Sequence, residues 1–361
     1  MSTESSLRKI GPALANIMRS PCPAGAANST VPVVILCSRP GLKMLQRNHQ
    51  VRSSSAALPY AALDIKRQDV GRLSRDRGIY LMEADERYAT VPKPLPACGP
   101  RNADVYERYK VGPLRDLDGD GVKIMVQDSG FSPHPDIASD VRAIDCTGEG
   151  TTRDQHGHGM AIVSQLKAKG RYPGLVPKAQ VTMARIFDNQ MSTSLSRILQ
   201  ACSVAVDNQV HVVSMSYGGP VPNIVISMVM RKLYAAGIFL VAAAGNSGPG
   251  DGTLEYPAGY DPVLAVAAVD KQGKLASFSS RGRPGQKPMK PDIALEGVNL
   301  IMAKSPDGNM GTPVEPGYIA ASGTSFACPI GACLAAMILQ ARGTTSSPAE
   351  VAELLRASAQ R

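Results

Sequence analysis

The apolar residues of this chain come in short runs, and their spacing changes along its length. Val31-Pro32-Val33-Val34-Ile35-Leu36 is a continuous run that predicts a strand. Residues 41–52 are polar with helical potential, and residues 57–65 are apolar again. Val70 and Leu73, three apart within residues 67–76, predict a helix. Residues 78–82 predict a further strand, closed by the acidic Glu83-Ala84-Asp85-Glu86. This order of strand, helix, strand, helix, strand predicts a small α+β unit over residues 31–91. Residues 92–103 carry Pro92, Pro94, Pro96, Gly99 and Pro100 and read as an exposed linker. Residues 1–30 read as a flexible leader.

From Val122 the rhythm becomes strand then helix. Strands are predicted at 122–126, 181–186, 210–216, 239–243 and 264–269. These are unbroken apolar runs rather than alternating ones, so both faces should be covered, as in a parallel sheet. Between them, residues 192–208 place Leu195, Ile198, Leu199, Cys202 and Val206 at three- and four-residue steps, the period of a helix. Residues 330–339 form an apolar helix, and a last helix opens with Ser347-Pro348-Ala349-Glu350, a capping box with proline in the first turn. The fold class over residues 104–361 is therefore α/β with a mostly parallel sheet.

Composition narrows the function classes. A hydrophobic share of 43% in 361 residues is enough to bury one large core and one small one. No run approaches 18 apolar residues, so no membrane-spanning helix is expected. The net charge of +9 raises the question of nucleic acid, but Lys and Arg are spread along the chain, without zinc-ligand spacing or a basic helix with heptads. No nucleic-acid partner is expected. The seven cysteines (Cys22, Cys37, Cys98, Cys146, Cys202, Cys328, Cys333) are odd in number and include no pair at CxxC spacing, so they do not form a disulfide framework. Cys202, Cys328 and Cys333 sit among apolar residues and read as buried thiols. The N-terminus lacks signal-peptide text: Gly11 and Pro12 interrupt its apolar stretch and Glu4 stands in the would-be basic end.

Three segments carry candidate chemistry, each where a strand ends or a helix begins, the place where ligand sites gather in open α/β sheets. Val126-Gln127-Asp128-Ser129-Gly130 puts a carboxylate at a strand end, where backbone donors can keep it ionised. Asp154-Gln155-His156-Gly157-His158-Gly159 sets a histidine between glycines before the apolar Met160-Ala161-Ile162-Val163. Ala321-Ser322-Gly323-Thr324-Ser325-Phe326-Ala327-Cys328-Pro329 is a small-residue turn into a helix, and its serine lies near the positive helix end. Each alone has an ordinary reading: a turn aspartate, a loop histidine, a helix cap. His156 and His158 do not share a helical face and have no Cys or Glu beside them, which argues against a metal pair. Taken in the order Asp, His, Ser, the segments can form a nucleophilic triad.

The residues around them resemble the subtilase family of serine proteases. Lys123-Ile124-Met125-Val126-Gln127-Asp128-Ser129-Gly130 with Ser132-Pro133-His134-Pro135-Asp136 is similar to the family's aspartate segment. Gly157-His158-Gly159 is similar to its histidine segment, and Gly323-Thr324-Ser325-Phe326-Ala327-Cys328-Pro329 to its serine segment. Val213-Ser214-Met215-Ser216-Tyr217-Gly218-Gly219 resembles its substrate-binding strand, and Ala243-Ala244-Gly245-Asn246 its oxyanion segment. Residues 256–260 and 278–282 fit as well, and the resemblance runs from about residue 104 to the end. It implies a subtilisin-like fold and an endopeptidase acting on proteins or peptides. Ser325 would be the nucleophile, His158 the base, Asp128 its orienting partner and Asn246 an oxyanion donor. Ser216, Tyr217, Gly218, Ala243, Ala244 and Gly245 would line the substrate. Residues 31–91 resemble the family's propeptide-inhibitor domain, a ferredoxin-like α+β unit. That implies a zymogen whose own N-terminal prodomain inhibits it until self-cleavage within 92–103, where Lys93 or Arg101 would suit a basic preference.

The chain also departs from the family. Met160 and Ala161 replace a threonine and a frequent second histidine after the histidine segment. Phe326 stands where a methionine is usual and Ile330 where a histidine is. His156 remains a rival for the base. Residues 165–174 carry Lys167, Lys169 and Arg171 instead of the family's calcium loop, so no cofactor is expected there. Asp116-Leu117-Asp118-Gly119-Asp120-Gly121 resembles part of a calcium loop but lacks the glutamate at the twelfth position, and calcium is kept there as an alternative. Glu255 precedes Tyr256-Pro257, at a place that lines the base of the primary specificity pocket in similar subtilases. A carboxylate there would favour Lys or Arg before the cleaved bond, whereas a loop glutamate facing solvent would do nothing. The competing functions are a peptide-binding pseudoprotease and a transamidating cyclase on the same fold. The resemblance implies export, while the leader and the cysteines also suit a reducing compartment.

Overall fold

The structure is a computed structural model that describes residues 9–20, 29–89, 109–110, 112–137 and 139–359. The chain divides into two compact units: Met1–Tyr88 with Ser194–Asp207 and Asn223–Val229, and Ala89–Thr193 with Asn208–Pro222 and Met230–Arg361. This division is interleaved, whereas the boundaries expected from the sequence, 31–91 and 104–361, are contiguous. The linker 92–103, with Lys93 and Arg101, lies outside the described residues.

The first unit is built on an antiparallel sheet in the order Val51–Ser55, Tyr60–Lys66, Thr30–Cys37, Ile79–Ala84. Thr30–Cys37 is central, and its buried residues explain its unbroken apolar text. Val51–Ser55 was not expected as a strand: its sequence, Val51-Arg52-Ser53-Ser54-Ser55, is that of a half-exposed edge. The helix expected over 67–76 shrinks to a 3-10 turn, Arg67–Asp69, and one α-turn, Val70–Leu73.

The leader reading fails for residues 9–20. Pro12–Arg19 is a helix whose Leu14 is fully buried in the core of this unit. Its N-terminus is held by Glu83, whose Oε1 accepts from the Leu14 amide at 2.8 Å, and by Gly11, whose amide donates to the Met82 carbonyl at 2.7 Å. At the other end, the Arg67 guanidinium donates to the carbonyls of Ile17 and Met18 at 2.7 and 2.9 Å. The helix Leu195–Asp207 also belongs to this unit. Asp85 caps it, accepting from the Ser196 amide and hydroxyl, both at 2.8 Å.

The second unit holds a seven-stranded sheet in the order Ile293–Glu296, Val263–Val269, Phe239–Ala243, Val212–Met215, Lys123–Asp128, Gln180–Arg185, Arg142–Asp145. Every neighbouring pair is parallel, and the fold class is α/β of the subtilisin kind. The central strands are buried at every residue but Lys123, as unbroken apolar runs require. The two edge strands, Arg142–Asp145 and Ile293–Glu296, are four residues long and each ends on a carboxylate, too short a run to read as a strand from the sequence.

Thr324–Arg342 is a helix that packs on this sheet and begins six residues earlier than the apolar run suggested. By length and composition alone it is apolar enough to cross a membrane, contrary to the expectation that no such run exists. Most of it is buried inside the fold. The last helix, Pro348–Ser358, has the expected capping box between Ser347 and Glu350.

Candidate active site

Adjacent strands of the parallel sheet deliver their carboxyl ends to one place. Lys123–Asp128 ends on Asp128, Val212–Met215 runs into Ser216, and Phe239–Ala243 runs into Ala244, Gly245 and Asn246. A parallel sheet aligns its strand ends on one edge, so residues more than a hundred positions apart in sequence come together.

Asp128 is fully buried there, with hydrogen-bond donors around its carboxylate. Its Oδ1 accepts from the Ser129 amide at 2.7 Å, and His158 Nδ1 lies 2.8 Å from Oδ1 and 2.9 Å from Oδ2. With a carboxylate on Nδ1, that nitrogen carries the proton and Nε2 is left as the basic atom. Burial disfavours a charged imidazole, but Asp128 outweighs it, with Asp154 adding to the effect, and the His158 pKa is raised above its ordinary value.

The glycines around His158 have a physical cause. Gly157 adopts φ 108°, a left-handed conformation that ordinary side chains avoid. A Cβ on Gly159 would stand 2.4 Å from the Gly130 carbonyl oxygen, so this first helical turn packs directly on the loop after Asp128. His156 lies elsewhere: its ring centre is 6.3 Å from that of His158, and its buried Nδ1 has no hydrogen-bond partner. Burial and the neighbouring His158 hold its pKa below the ordinary value. Of the two rings, that of His158 is the one bonded to a carboxylate.

Ser325 is the second residue of Thr324–Arg342, at the positive end of the helix. Its hydroxyl donates to the Ser216 carbonyl at 3.1 Å, while His158 Nε2 is buried without a hydrogen-bond partner. Ser325 Oγ and His158 Nε2 are therefore not hydrogen-bonded to each other here. The reverse bond also forms, from Ser216 Oγ to the Ser325 carbonyl at 2.8 Å. Pro329 accounts for it: proline has no N–H, so the carbonyl four residues earlier has no helical donor and takes one from Ser216. Phe326 fills the position of the usual methionine and packs against His158, its ring centre 5.4 Å from that of the imidazole.

Asn246 is oriented by Thr324, whose amide and hydroxyl both donate to Asn246 Oδ1 at 2.9 Å. An amide N–H can only donate, so Oδ1 must face Thr324 and the side-chain NH2 points the other way. The Thr324 hydroxyl also accepts from the Gly245 amide at 3.2 Å. Thr324 was not singled out by the sequence reading, since serine and threonine before a helix read as ordinary caps.

Glu255 is half-buried. Its amide donates to the Ala244 carbonyl at 2.9 Å, and Tyr256 pairs with Gly219 through both backbone bonds. The side chain lies between two glycines: a Cβ on Gly218 would sit 2.7 Å from Glu255 Oε2, and one on Gly245 would sit 2.5 Å from its Cδ. Ser247 donates its hydroxyl to Oε1 at 2.9 Å. Burial raises the carboxyl above the usual carboxylate range, and the Ser247 hydroxyl offsets this only in part. Tyr217, beside Gly218, donates its hydroxyl to Gln127 at 2.7 Å and stacks edge-on with Phe187. Ala243 and Ala244 are buried.

The calcium alternative meets a different arrangement. The Asp118 carboxylate pairs with Lys178 at 2.8 Å and accepts from Gln340 and the Asp120 amide. Lys167 buries its ammonium against Asp140 at 2.9 Å and the carbonyls of Pro177 and Ala179 at 2.8 and 2.9 Å. Among the described residues no group of three His, Cys, Asp or Glu could hold a metal. Cys328 lies beneath the site, near Ser214 and Met215, where burial pushes its thiol up to about 11 and keeps it unreactive.

The parallel sheet places these segments together at its strand ends, an arrangement of the α/β class. The chain belongs to the subtilase family: that family's model matches residues 119–361. It is a serine-type peptidase. It is 30% identical over 286 residues to an alkaline protease of Shouchella clausii, covering 78% of this chain and 70% of the relative. It is 33% identical over 229 residues to Subtilisin Savinase of Lederbergia lenta, covering 63% of this chain and 79% of the relative. It is also 32% identical over 272 residues to the serine protease AprX of Bacillus subtilis, covering 66% of this chain and 61% of the relative.

Proposed function

We propose that the protein cleaves peptide bonds through Ser325, His158 and Asp128, with Asn246 as oxyanion donor and with Lys or Arg favoured before the scissile bond. The observation that carries this reading is the contact of His158 Nδ1 with both oxygens of a buried Asp128. It leaves Nε2 as the base for the neighbouring Ser325. Rotation of the Ser325 side chain off the Ser216 carbonyl brings its hydroxyl to Nε2. The hydroxyl attacks the scissile carbonyl as Nε2 takes its proton. The imidazolium then protonates the leaving amine, and water releases the acyl group by the same steps in reverse roles. Asp128 stabilises the imidazolium without taking its proton.

The oxyanion is held by the Asn246 NH2 and the Ser325 amide. In a subtilisin, a relative and not this protein, losing one such side-chain donor costs about 3–4 kcal/mol. The backbone of Ser216 to Gly218 pairs with the substrate as an added strand. Glu255, between Gly218 and Gly245, sets the charge at the base of the pocket. The chain's own residues supply every step, and no cofactor is required.

We further propose that residues 31–91 are a prodomain, removed by self-cleavage within 92–103. Two observations support this. A match over 78% of the chain to an alkaline protease is longer than residues 119–361 can hold, so it reaches into the N-terminal unit. The N-terminal sheet also shares a compact unit with the helix Leu195–Asp207. The test is mass spectrometry of the purified chain beside Ser325→Ala. The wild type is expected to shed a fragment ending within 92–103, after a basic residue, while Ser325→Ala stays whole. If both stay whole, the self-processing reading fails and a peptide-binding pseudoprotease takes its place.

A further inference from the structure

Four residues before His158, Asp154 is a fully buried carboxylate that the catalytic scheme does not use. Its Oδ1 accepts from the amides of His156 at 3.1 Å and Gly157 at 2.7 Å, and its Oδ2 from the amide of Met160 at 2.7 Å. Oδ1 also accepts from the Ser129 hydroxyl at 2.9 Å. That hydroxyl in turn accepts from the Gly159 amide at 2.9 Å, which fixes it as donor toward Asp154. Asp154 therefore meets donors only, the environment of an ionised carboxylate.

These bonds close a circuit. Gly159 and Met160 are in the first turn of the helix His158–Lys167, whose early amides have no partner within the helix. Ser129 and Asp154 satisfy them. Ser129 follows Asp128 and donates its own amide to Asp128 Oδ1 at 2.7 Å. The ring Asp128, Ser129, Asp154, helix start, His158 and back to Asp128 is bonded at every step. We infer that Asp154 is a positioning residue for His158, tying the first turn of its helix to the strand end that carries Asp128.

The inference rests on His158 being the base. The titratable groups around the His158 ring are Asp128, Asp154 and His156. Burial, aided by the nearby Asp128, raises the Asp154 carboxyl above the usual carboxylate range, and the amides of Gly157 and Met160 and the Ser129 hydroxyl offset this only in part. The Asp154 charge adds to that of Asp128 in favouring the protonated ring. Two losses should therefore follow when Asp154 becomes Asn: the helix start loosens, and His158 gives up its proton more readily.

The first measurement is a histidine NMR titration of the full chain carrying Ser325→Ala, with and without Asp154→Asn. The His158 midpoint is expected to fall with Asp154→Asn, and an unmoved midpoint overturns the inference. This readout needs no activity, so it separates the inference from the catalytic reading, which fails instead if the wild type hydrolyses nothing. The second is kinetics of Ser129→Ala, a small change that keeps the Asp154 charge and decides the case even if Asp154→Asn does not fold. Misplacing a reacting group by about 1 Å costs on the order of 100-fold. A fall in kcat of about 10- to 100-fold at unchanged KM is expected, and an unchanged kcat overturns the tie.

Discussion

Glu255 is the residue whose reading changed most between sequence and structure. On a loop before Tyr256-Pro257, a glutamate facing solvent was an equal alternative. Contact with the positions of Gly218 and Gly245, and the bond from Ser247, turn it inward. A hydrogen bond to a charged partner is worth about 1.5–3 kcal/mol, or roughly 10- to 100-fold. Glu255→Gln is expected to cut the kcat/KM for peptides with Arg before the scissile bond by that factor and to leave Leu peptides nearly unchanged. Equal loss on both would place Glu255 outside the pocket. Because burial raises the Glu255 carboxyl, acidification protonates it sooner than an exposed glutamate. The Arg preference of the wild type should fade as pH falls through that raised value, and that of Glu255→Gln should not. Asp128, His158 and Ser325 stand out as candidates in the sequence because each sits in a motif of several residues. Asp154, Ser129, Thr324 and Ser247 were not, because a capping or bridging side chain has no sequence signature beyond its type.

At the scale of elements, the long apolar runs read well. The strand Phe239–Ala243 has its predicted limits, and Lys123–Asp128, Gln180–Arg185 and Val263–Val269 differ from theirs by one or two residues. The edge strands Arg142–Asp145 and Ile293–Glu296 escape the sequence, since four residues are too short a run to carry the signal. The helix Pro12–Arg19 was misread for a different reason. Gly11 and Pro12 look like breakers, yet proline suits a first helical turn, and both helix ends are satisfied by Glu83 and Arg67, more than 45 residues away in sequence. Leu14, wholly buried, is the anchor. Leu14→Ala is expected to destabilise the first unit by about 2–5 kcal/mol, and Leu14→Met by under about 1.5 kcal/mol, in urea unfolding of Ser325→Ala. Equal stability of all three would show the helix to be dispensable.

At the scale of the whole molecule, the interleaved division has a consequence. The first unit takes Met1–Tyr88 from one side of the linker and Ser194–Asp207 from the other, and Asp85 caps the helix Leu195–Asp207. A cut within 92–103 would sever the chain but not this unit. The two fragments are expected to elute together in size-exclusion chromatography at neutral pH, and separate elution would count against the N-terminal fragment acting as an inhibitor after cleavage. The sequence by itself determined the class of fold, the parallel character of the main sheet and the identity of the triad candidates, because burial on both faces and motif order are properties of local text. It was the tertiary structure that decided which histidine meets a carboxylate, where Glu255 points and which helix joins the N-terminal sheet. Those outcomes depend on contacts between distant segments, created when a parallel sheet gathers its strand ends on one edge.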